Sequence, residues 1–534
     1  MKGKMIFAAA AILCGATAFG TGYYKPADEN DLRWDRLDSW YQDNAFTTAA
    51  THLPYSNEDV YVSAPYKVTI TNGTIAGAHS MYLPSSGSGP AGSADLRIEA
   101  GGVLVSVFGI YYVGHSGGHG SLTLDGGMIR CTNSSKHGLQ GFYIGHGDGG
   151  FGVVTNRNGG SIYTREGTYI GSSANSHGRY VHDGGTWNWA YNGKMFYVGQ
   201  EGLGEVEVQS GTWKVNCLRL GGSKTNNNIW VASGAKVTTG YPAFIGGFDK
   251  NTYRDGWGEL TLVGGTFEQT GSDSILYVGS WTGSVVRAVA DQQQYGRIRG
   301  YGTFARSGSN LIHLHIGRGQ AIADGGILDM NAYASCTNAM LSSPGYTIAG
   351  QTNGWRAVNG GEARYPRQSF SAANATVGFG TEATATTPDL LNSAVLTVTD
   401  AGTATKYLRG GCVAADREGV HAESLPRNYG IIGMWRLGLY TDAGTWGNVS
   451  KAAAYGTARL SVRYEASKLD PQHSKVLGLY RWEAGHWVNV GYAGHDSGLP
   501  VFTSDEMGSL SGVSENVGLF ALLQVRSGTT VIFR

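Results

Sequence analysis

From about residue 70 to residue 330 the chain repeats itself. Each copy opens on an aromatic residue, an aliphatic residue and Gly: Tyr112-Val113-Gly114, Tyr143-Ile144-Gly145, Tyr169-Ile170-Gly171, Tyr197-Val198-Gly199, Phe244-Ile245-Gly246 and Tyr277-Val278-Gly279. A Gly-containing turn leading to an apolar residue follows, as in Gly126-Gly127-Met128-Ile129, Gly159-Gly160-Ser161-Ile162, Gly184-Gly185-Thr186-Trp187, Gly211-Thr212-Trp213, Gly264-Gly265-Thr266-Phe267 and Gly325-Gly326-Ile327-Leu328. Neighbouring copies lie about 22 to 38 residues apart. Self-similarity at that length marks a stacked array. Strand residues punctuated by Gly turns, without helical periodicity, make the array a parallel β-helix, or β-solenoid.

Earlier copies of the turn stand at Asn72-Gly73-Thr74-Ile75 and Gly101-Gly102-Val103-Leu104, and a later one at Gly302-Thr303-Phe304. The count comes to about ten rungs, or a rod roughly 50 Å long at ~4.8 Å per strand layer. Residues 281–299 fit the pattern poorly, and Ser284 to Gln294 read as a helical insertion. A stack needs its open ends covered, because unpaired strand edges aggregate. Residues 19–66, with Trp34, Trp40 and Tyr41, read as the N-terminal cap, and 67–330 as the parallel β-helix. Residues 331–392, with Pro344, Pro366 and Pro388, read as a terminal cap and linker. From 393 to 534 alternating runs such as Ala394–Val398, Arg459–Tyr464 and Leu477–Trp482 predict an antiparallel β-sandwich. The fold class is therefore all-β.

Lys2 and Lys4, the apolar run Met5 to Leu13 and the small-residue site Ala16-Thr17-Ala18 predict a signal peptide over residues 1–18. Leu13 is too large to precede a lipidated Cys14. No later stretch approaches the ~18 apolar residues of a membrane span. Export is the expectation, with no transmembrane segment after cleavage. Cys131, Cys217, Cys336 and Cys412 show no CxxC spacing, so buried single thiols are expected rather than a metal site. Charged residues are only 15% of the chain, 40 of each sign. That balance speaks against nucleic acid as a partner and favours self-association. The sequence calls for no cofactor.

Strand alternation sorts the repeat into columns. Val113, Ile144, Ile170, Val198, Leu220, Ile245, Val278 and Ile316 form one inward column. Tyr111, Phe142, Thr168, Phe196, Leu218, Ala243, Leu276 and Leu314 form another. The residue between must face outward: Tyr112, Tyr143, Tyr169, Tyr197, Arg219, Phe244, Tyr277 and His315. Stacked rungs would display these rings as a stripe. Tyr112, Tyr143, Tyr169, Tyr197 and Tyr277 are the candidate ligand-binding residues, with polysaccharide or cell-surface glycans as the partner class. His115 and His146 lie just past two of these strands. The competing and favoured reading is an aromatic ladder, which stabilises an in-register sheet whether or not anything binds. Trp187, Trp213 and Phe267 share their position with Ile129, Ile162 and Leu328 and read as core.

A polysaccharide lyase or glycoside hydrolase is the alternative function. Asp125, Asn158, Asp183 and Gln209 precede the turn Gly in successive rungs. Asp125 and Asp183, two layers apart, would stand roughly 9–10 Å from each other, near the upper limit for an inverting carboxylate pair. Asp and Asn before Gly are, however, ordinary turn residues. Fragments of a pectin-hydrolase signature, Gly145-His146-Gly147 and Arg297-Ile298-Arg299, lack the Asp-Asp and Asn-Thr-Asp elements that adjoin them in that family. No catalytic residue and no metal ligand is assigned.

Gly256-Trp257-Gly258-Glu259-Leu260-Thr261-Leu262-Val263-Gly264-Gly265-Thr266-Phe267 and Gly117–Gly127 resemble the repeat, close to IGxxGxGxLxLxGGTF, of secreted autotransporter-like β-helix proteins of Gram-negative bacteria. Leu479-Tyr480-Arg481-Trp482 and Trp487-Val488 resemble a β-sandwich appended to such proteins. The resemblance implies an extracellular or cell-surface location and a structural or adhesive role. It implies no catalytic residues. The C-terminal part departs from the autotransporter plan in being too short for a membrane barrel. A pure spacer with recognition in the sandwich is the further alternative.

Overall fold

The computed structural model describes residues 21–84, 93–106, 109–131, 141–164, 166–189, 195–222, 227–246, 257–271, 275–279, 295–306, 313–316, 320–333, 335–337, 354–379, 390–400, 402–426, 429–440, 457–472, 476–494, 500–505, 507 and 518–525. The predicted signal peptide and the predicted helical insertion at Ser284 to Gln294 lie outside the described residues.

Each turn of the solenoid lays one strand on each of three faces. The first face is a thirteen-stranded sheet in which only the outermost strand, Trp40–Tyr41, is antiparallel. Its parallel strands include Ile110–His115, Gly141–His146, Thr168–Ile170, Met195–Val198, Cys217–Leu220, Ala243–Ile245 and Ile275–Val278. The second face stacks longer strands such as His119–Asp125, Phe151–Arg157 and His177–Asp183. The third is narrow, with Val103–Ser106, Met128–Cys131, Ser161–Thr164 and Thr186–Trp189 in parallel. Inward side chains of all three faces merge into one core.

Register explains the repeat. Phe142, Tyr143 and Ile144 pair with Thr168, Tyr169 and Ile170, which pair with Phe196, Tyr197 and Val198. Each sequence column thus becomes a physical column. Both inward columns are fully buried over their described members, Tyr111 and Val113 through Leu276 and Val278. The Gly that closes the strand is required twice over at Gly145. Its φ is +68°, and a Cβ there would lie 2.3 Å from the His177 carbonyl oxygen of the next rung. The aromatic–aliphatic–Gly signature therefore marks where the chain turns a corner against its neighbour.

The stack is longer than the expected ten rungs. Within the segment read as N-terminal cap, Thr21–Tyr24 and Asp59–Val62 are parallel members of the first face. Their aromatics, Tyr23 and Tyr61, are followed by Tyr24-Lys25 and Val62-Ser63 rather than by an aliphatic residue and Gly, so the repeat signature passes over them. The other end also extends. Gly354–Val358 pairs in parallel with Gln320–Asp324, and Glu362–Arg364 with Ile327–Asp329. Part of the segment read as cap and linker therefore continues the stack, Gly354–Val358 on the second face and Glu362–Arg364 on the third.

The edge of the third face is closed by an antiparallel strand, Lys406–Val413, which leads into the C-terminal sandwich. One sandwich sheet holds Lys406–Val413, Tyr429–Tyr440, Gly518–Val525, Val476–Glu483 and His486–Gly494. The other holds Ala375–Gly378, Ala394–Val398, Ala458–Arg463 and Val501–Thr503. Leu396, Leu460 and Val462 pack with Leu408, Leu437, Phe520 and Leu522 in the core that is continuous with the solenoid. At the junction Glu362, fully buried, pairs with Arg364 at 3.0 Å, Arg417 at 3.1 Å and Arg436 at 3.3 Å. Two of those arginines belong to the sandwich, so the carboxylate ties the two parts together. Among the described residues no helix is long and apolar enough to cross a membrane.

Replacing Gly145 by Ala forces an L residue into the left-handed region and a Cβ into the next rung's backbone. We expect a loss of about 2 kcal/mol or more in urea unfolding, read as a lower midpoint. An unchanged midpoint would contradict this account of the repeat.

Candidate functional site

The outward column of the first face forms a continuous ring stack. Tyr23 and Tyr61 stack at 5.0 Å between ring centroids, Tyr61 and Tyr82 at 4.5 Å, and Tyr82 and Tyr112 at 5.1 Å. Tyr112 and Tyr143 follow at 5.1 Å, Tyr143 and Tyr169 at 4.8 Å, and Tyr169 and Tyr197 at 5.0 Å. Interplanar angles along this run do not exceed 20°. The reason is geometric. Parallel strands repeat every ~4.8 Å, close to the separation at which offset rings stack. In-register tyrosines sharing one rotamer direction therefore meet face to face.

All five candidate tyrosines sit in this column, as the strand alternation requires. The stack joins Tyr112, Tyr143, Tyr169 and Tyr197 directly. Tyr277 stands beyond Arg219 and Phe244, stacked on Phe244 at 4.9 Å and 2°. Arg219 fills the gap, its guanidinium carbon 5.5 Å from the ring centres of both Tyr197 and Phe244. Arg219 points outward, as the alternation requires, yet is only 6% exposed, because a planar cation between two rings is covered by both. His315 pairs with Tyr277 along the backbone; its side chain lies outside the described residues.

Interior members of the column thus turn both ring faces to their neighbours. What they present outward is the ring edge and the hydroxyl. Burial pushes the Tyr143 phenol up to about 12, helped by the adjoining Tyr169 and Tyr112. His115 and His146 stack on each other at 5.4 Å and contact Tyr112 and Tyr143 edge-on at 4.8 Å. His146 Nδ1 lies 2.8 Å from the Ser172 hydroxyl. Burial lowers both imidazoles below the usual histidine range, and His146 is lowered further by His115. The two histidines extend the stripe around the corner of the solenoid.

The acidic residues weighed for catalysis are bound up with neighbouring rungs. Asp125 Oδ2 accepts from Arg97 at 2.6 Å and Arg157 at 3.0 Å, while Oδ1 accepts from Asn158 at 2.6 Å. These hydrogen bonds hold the Asp125 carboxyl below the usual carboxylate range, Arg157 contributing most. The register places Asp125 opposite Arg157, so Asn158 is not its counterpart but a turn residue at φ +54°. Asp183 accepts from the Ser210 hydroxyl at 2.7 Å. Gln209 is passed over where the ladder shifts between His182–Val208 and Asp183–Ser210, and its amide bonds Glu207. Trp187, Trp213 and Phe267 are core, as expected, at 2% exposure or less. Cys217 and Cys412 are buried free thiols.

Sequence reasoning missed Tyr23, Tyr61 and Tyr82 as members of the stripe. The signal that could have found them is the alternation in Tyr23-Tyr24, Val60-Tyr61-Val62 and Met81-Tyr82-Leu83, read without demanding a following aliphatic–Gly pair. The fold and stripe together define a parallel β-solenoid with an external aromatic ladder and an appended antiparallel β-sandwich. Comparison with protein-family models, with curated proteins and with solved structures finds no match to this chain.

Two outcomes follow. Tyr143→Ser removes two stacked pairs, each contributing about 0.5–1.5 kcal/mol, so it should destabilise by about 1–3 kcal/mol in urea unfolding. Because Tyr143 and Tyr169 share a pair, the double Ser variant should cost less than the two single changes added together. Strict additivity would sink the ladder. The second concerns His182, fully buried beside Tyr180 and pushed down to about 4 by desolvation. Between pH 6.5 and about 4 the unfolded chain binds the proton that the folded chain excludes. Stability contributed by neutral His182 should therefore be complete above pH 6.5 and fall as pH drops toward 4, by on the order of 2–3 kcal/mol. Chemical denaturation of wild type and His182→Gln at pH 7 and pH 5 measures it; equal slopes in both would refute it.

Proposed function

We propose that this chain is an exported, non-enzymatic β-solenoid that serves as a structural or adhesive element outside the cell. The observation that carries the reading is the ring stack from Tyr23 to Tyr197, continued through Arg219 to Phe244 and Tyr277. A column whose faces are satisfied by its neighbours supports a rod rather than an active-site cleft. The bonding of Asp125 to two arginines and an asparagine supports the same reading, since that carboxylate holds rung to rung. Low charge and numerical balance favour side-by-side association of such rods.

A narrower role in gripping glycans is supported by the row of tyrosine edges and hydroxyls, flanked by His115 and His146. Edges offer hydrogen bonds but not the ring faces on which sugars stack. Glycan contact along the stripe would therefore be polar and cumulative over several rungs.

Affinity electrophoresis of residues 19–534 through gels holding different polysaccharides, with reducing ends assayed in each lane, tests these roles. The structural reading expects no new reducing ends, and the glycan role adds retardation that weakens in Tyr143→Ser/Tyr169→Ser variants that remain folded. New reducing ends would overturn the non-enzymatic reading and favour the β-helix hydrolase or lyase. Absence of both effects would leave a scaffold alone.

A further inference from the structure

The stack begins beside an open cleft of about 340 Å³. Its floor is the buried edge of Trp40 with Pro54 and the bare backbone of Gly22, and its rim carries Gln42, Thr51 and His52 with Glu58. A Cβ at Gly22 would sit 2.9 Å from Pro54 Cγ, so a side chain at that position would crowd the wall. The surrounding elements are well anchored. Trp40 donates from Nε1 to the Trp34 carbonyl at 2.8 Å, and the Glu58 carbonyl accepts from the His79 amide at 2.6 Å.

The polar groups of this cleft have hydrogen-bonding capacity that the chain does not use. The Glu58 side chain is only 12% exposed; it accepts one hydrogen bond, from the Tyr55 amide at 2.9 Å, and besides its contact with His52 no Lys or Arg of the described residues pairs with it. His52 Nδ1 lies 3.0 Å from the Leu53 carbonyl and must donate to it. Its Nε2 faces Glu58 Oε1 at 3.7 Å. A carboxylate can accept several hydrogen bonds, so Glu58 keeps capacity for a further donor. The Gln42 amide and the Thr51 hydroxyl, which also line the cleft, have no side-chain partner among the described residues.

We propose that this cleft binds one ring of a saccharide. Hydroxyl groups both donate and accept, so a polyhydroxylated ring can donate to Glu58 while accepting from Gln42 and Thr51. Half-buried Ala50 offers a small apolar patch to the C–H face of such a ring. An organic cation fits less well. There is one carboxylate, and one face of the nearest ring, His52, is already against Tyr55 at 4.6 Å. The volume sits at the small end of the ~300–1,000 Å³ range of small-molecule sites, which suits a single ring or chain end rather than the middle of a polymer. The proposal deepens the glycan-gripping part of the proposed function and places a site apart from the tyrosine stripe.

The test is saturation-transfer NMR on the full chain with the methyl glycosides of glucose, galactose and mannose and with N-acetylglucosamine. Titration then yields Kd for any that bind. We expect at least one to bind in the millimolar range, with affinity reduced tenfold or more by Glu58→Gln and by Gln42→Ala. Gln42 is exposed and its side chain has no partner, so that variant keeps the fold, as circular dichroism will verify. No transfer to any of the four probes, transfer insensitive to both cleft variants, or displacement of the sugar by millimolar choline or ethylammonium would each overturn the saccharide assignment. Polysaccharide retardation that survives Glu58→Gln but not Tyr143→Ser/Tyr169→Ser would overturn the cleft while leaving the stripe as the glycan site.

Discussion

Parallel, in-register pairing of each rung with the next is the constraint on which everything else in the solenoid depends. Once backbones stack without a shift, whatever stands at one position must tolerate a near neighbour of the same kind ~4.8 Å above and below. Apolar residues satisfy this by packing, glycine by occupying no space, and tyrosine by stacking. The columns Val113–Ile144–Ile170, Gly114–Gly145–Gly171 and Tyr112–Tyr143–Tyr169 are three solutions to one spacing. Charge is the difficult case, because like charges in a column repel. The chain answers with ion pairs between neighbouring rungs: Arg97 and Arg157 both reach Asp125, which stands in register with Glu99, while His177 meets Glu205 and Arg179 meets Glu207. Such half-exposed pairs contribute little stability each. Their arrangement offsets like-charge neighbours such as Glu99 and Asp125, in a chain that carries only 15% charged residues.

Aromatic residues appear in this protein in two distinct physical settings. Outside, they are coplanar and parallel because the backbone repeat sets their separation. Inside, they come from different faces and meet at steep angles. Phe196 contacts Trp213 at 89° and Tyr180 contacts Trp187 at 88°. The inner set fills the prism between the faces at high density, as edge-to-face contacts do. The outer set forms a spine along one face. Arg219 shows that the spine depends on planarity and not on aromaticity as such: a guanidinium occupies a rung and the register runs on through Leu218, Arg219 and Leu220.

Each end of a stacked array exposes unpaired strand edges, and here flanking segments cover them. Trp40–Tyr41 folds back antiparallel on the first strand of the tyrosine face, while Tyr24, Trp34 and Trp40 pack together beneath it with centroids 4.6 to 5.0 Å apart. At the other end Lys406–Val413 runs antiparallel on Glu362–Arg364, and Glu362 with its three arginines holds the sandwich against the rod. Antiparallel closure ends the growth of a parallel stack, which is how an edge-rich fold limits uncontrolled pairing. The cleft of the N-terminal cap is a by-product of that closure, since the returning strand and the loop through His52 to Glu58 do not pack flush against Thr21–Tyr24.

The sequence by itself determined the solenoid, the inward columns and the outward tyrosines, because period-2 alternation and a Gly at every corner admit few other folds. It also marked Trp187, Trp213 and Phe267 as core and the segment 393–534 as an antiparallel sandwich. Only the tertiary structure decided what those residues do to one another. That Tyr112 to Tyr197 consume each other's faces, that Arg219 is buried though it points outward, and that Asp125 aligns with Arg157 rather than Asn158 all depend on register, which strand patterns do not specify to one residue. The same holds for the rungs at Tyr23, Tyr61 and Tyr82, where the repeat signature lapses but pairing continues, and for the rungs past residue 330. The cleft around Glu58 was the least legible of all: its residues come from separate turns with no motif between them, and only chain folding brings an under-paired carboxylate, an imidazole and a free amide to one opening.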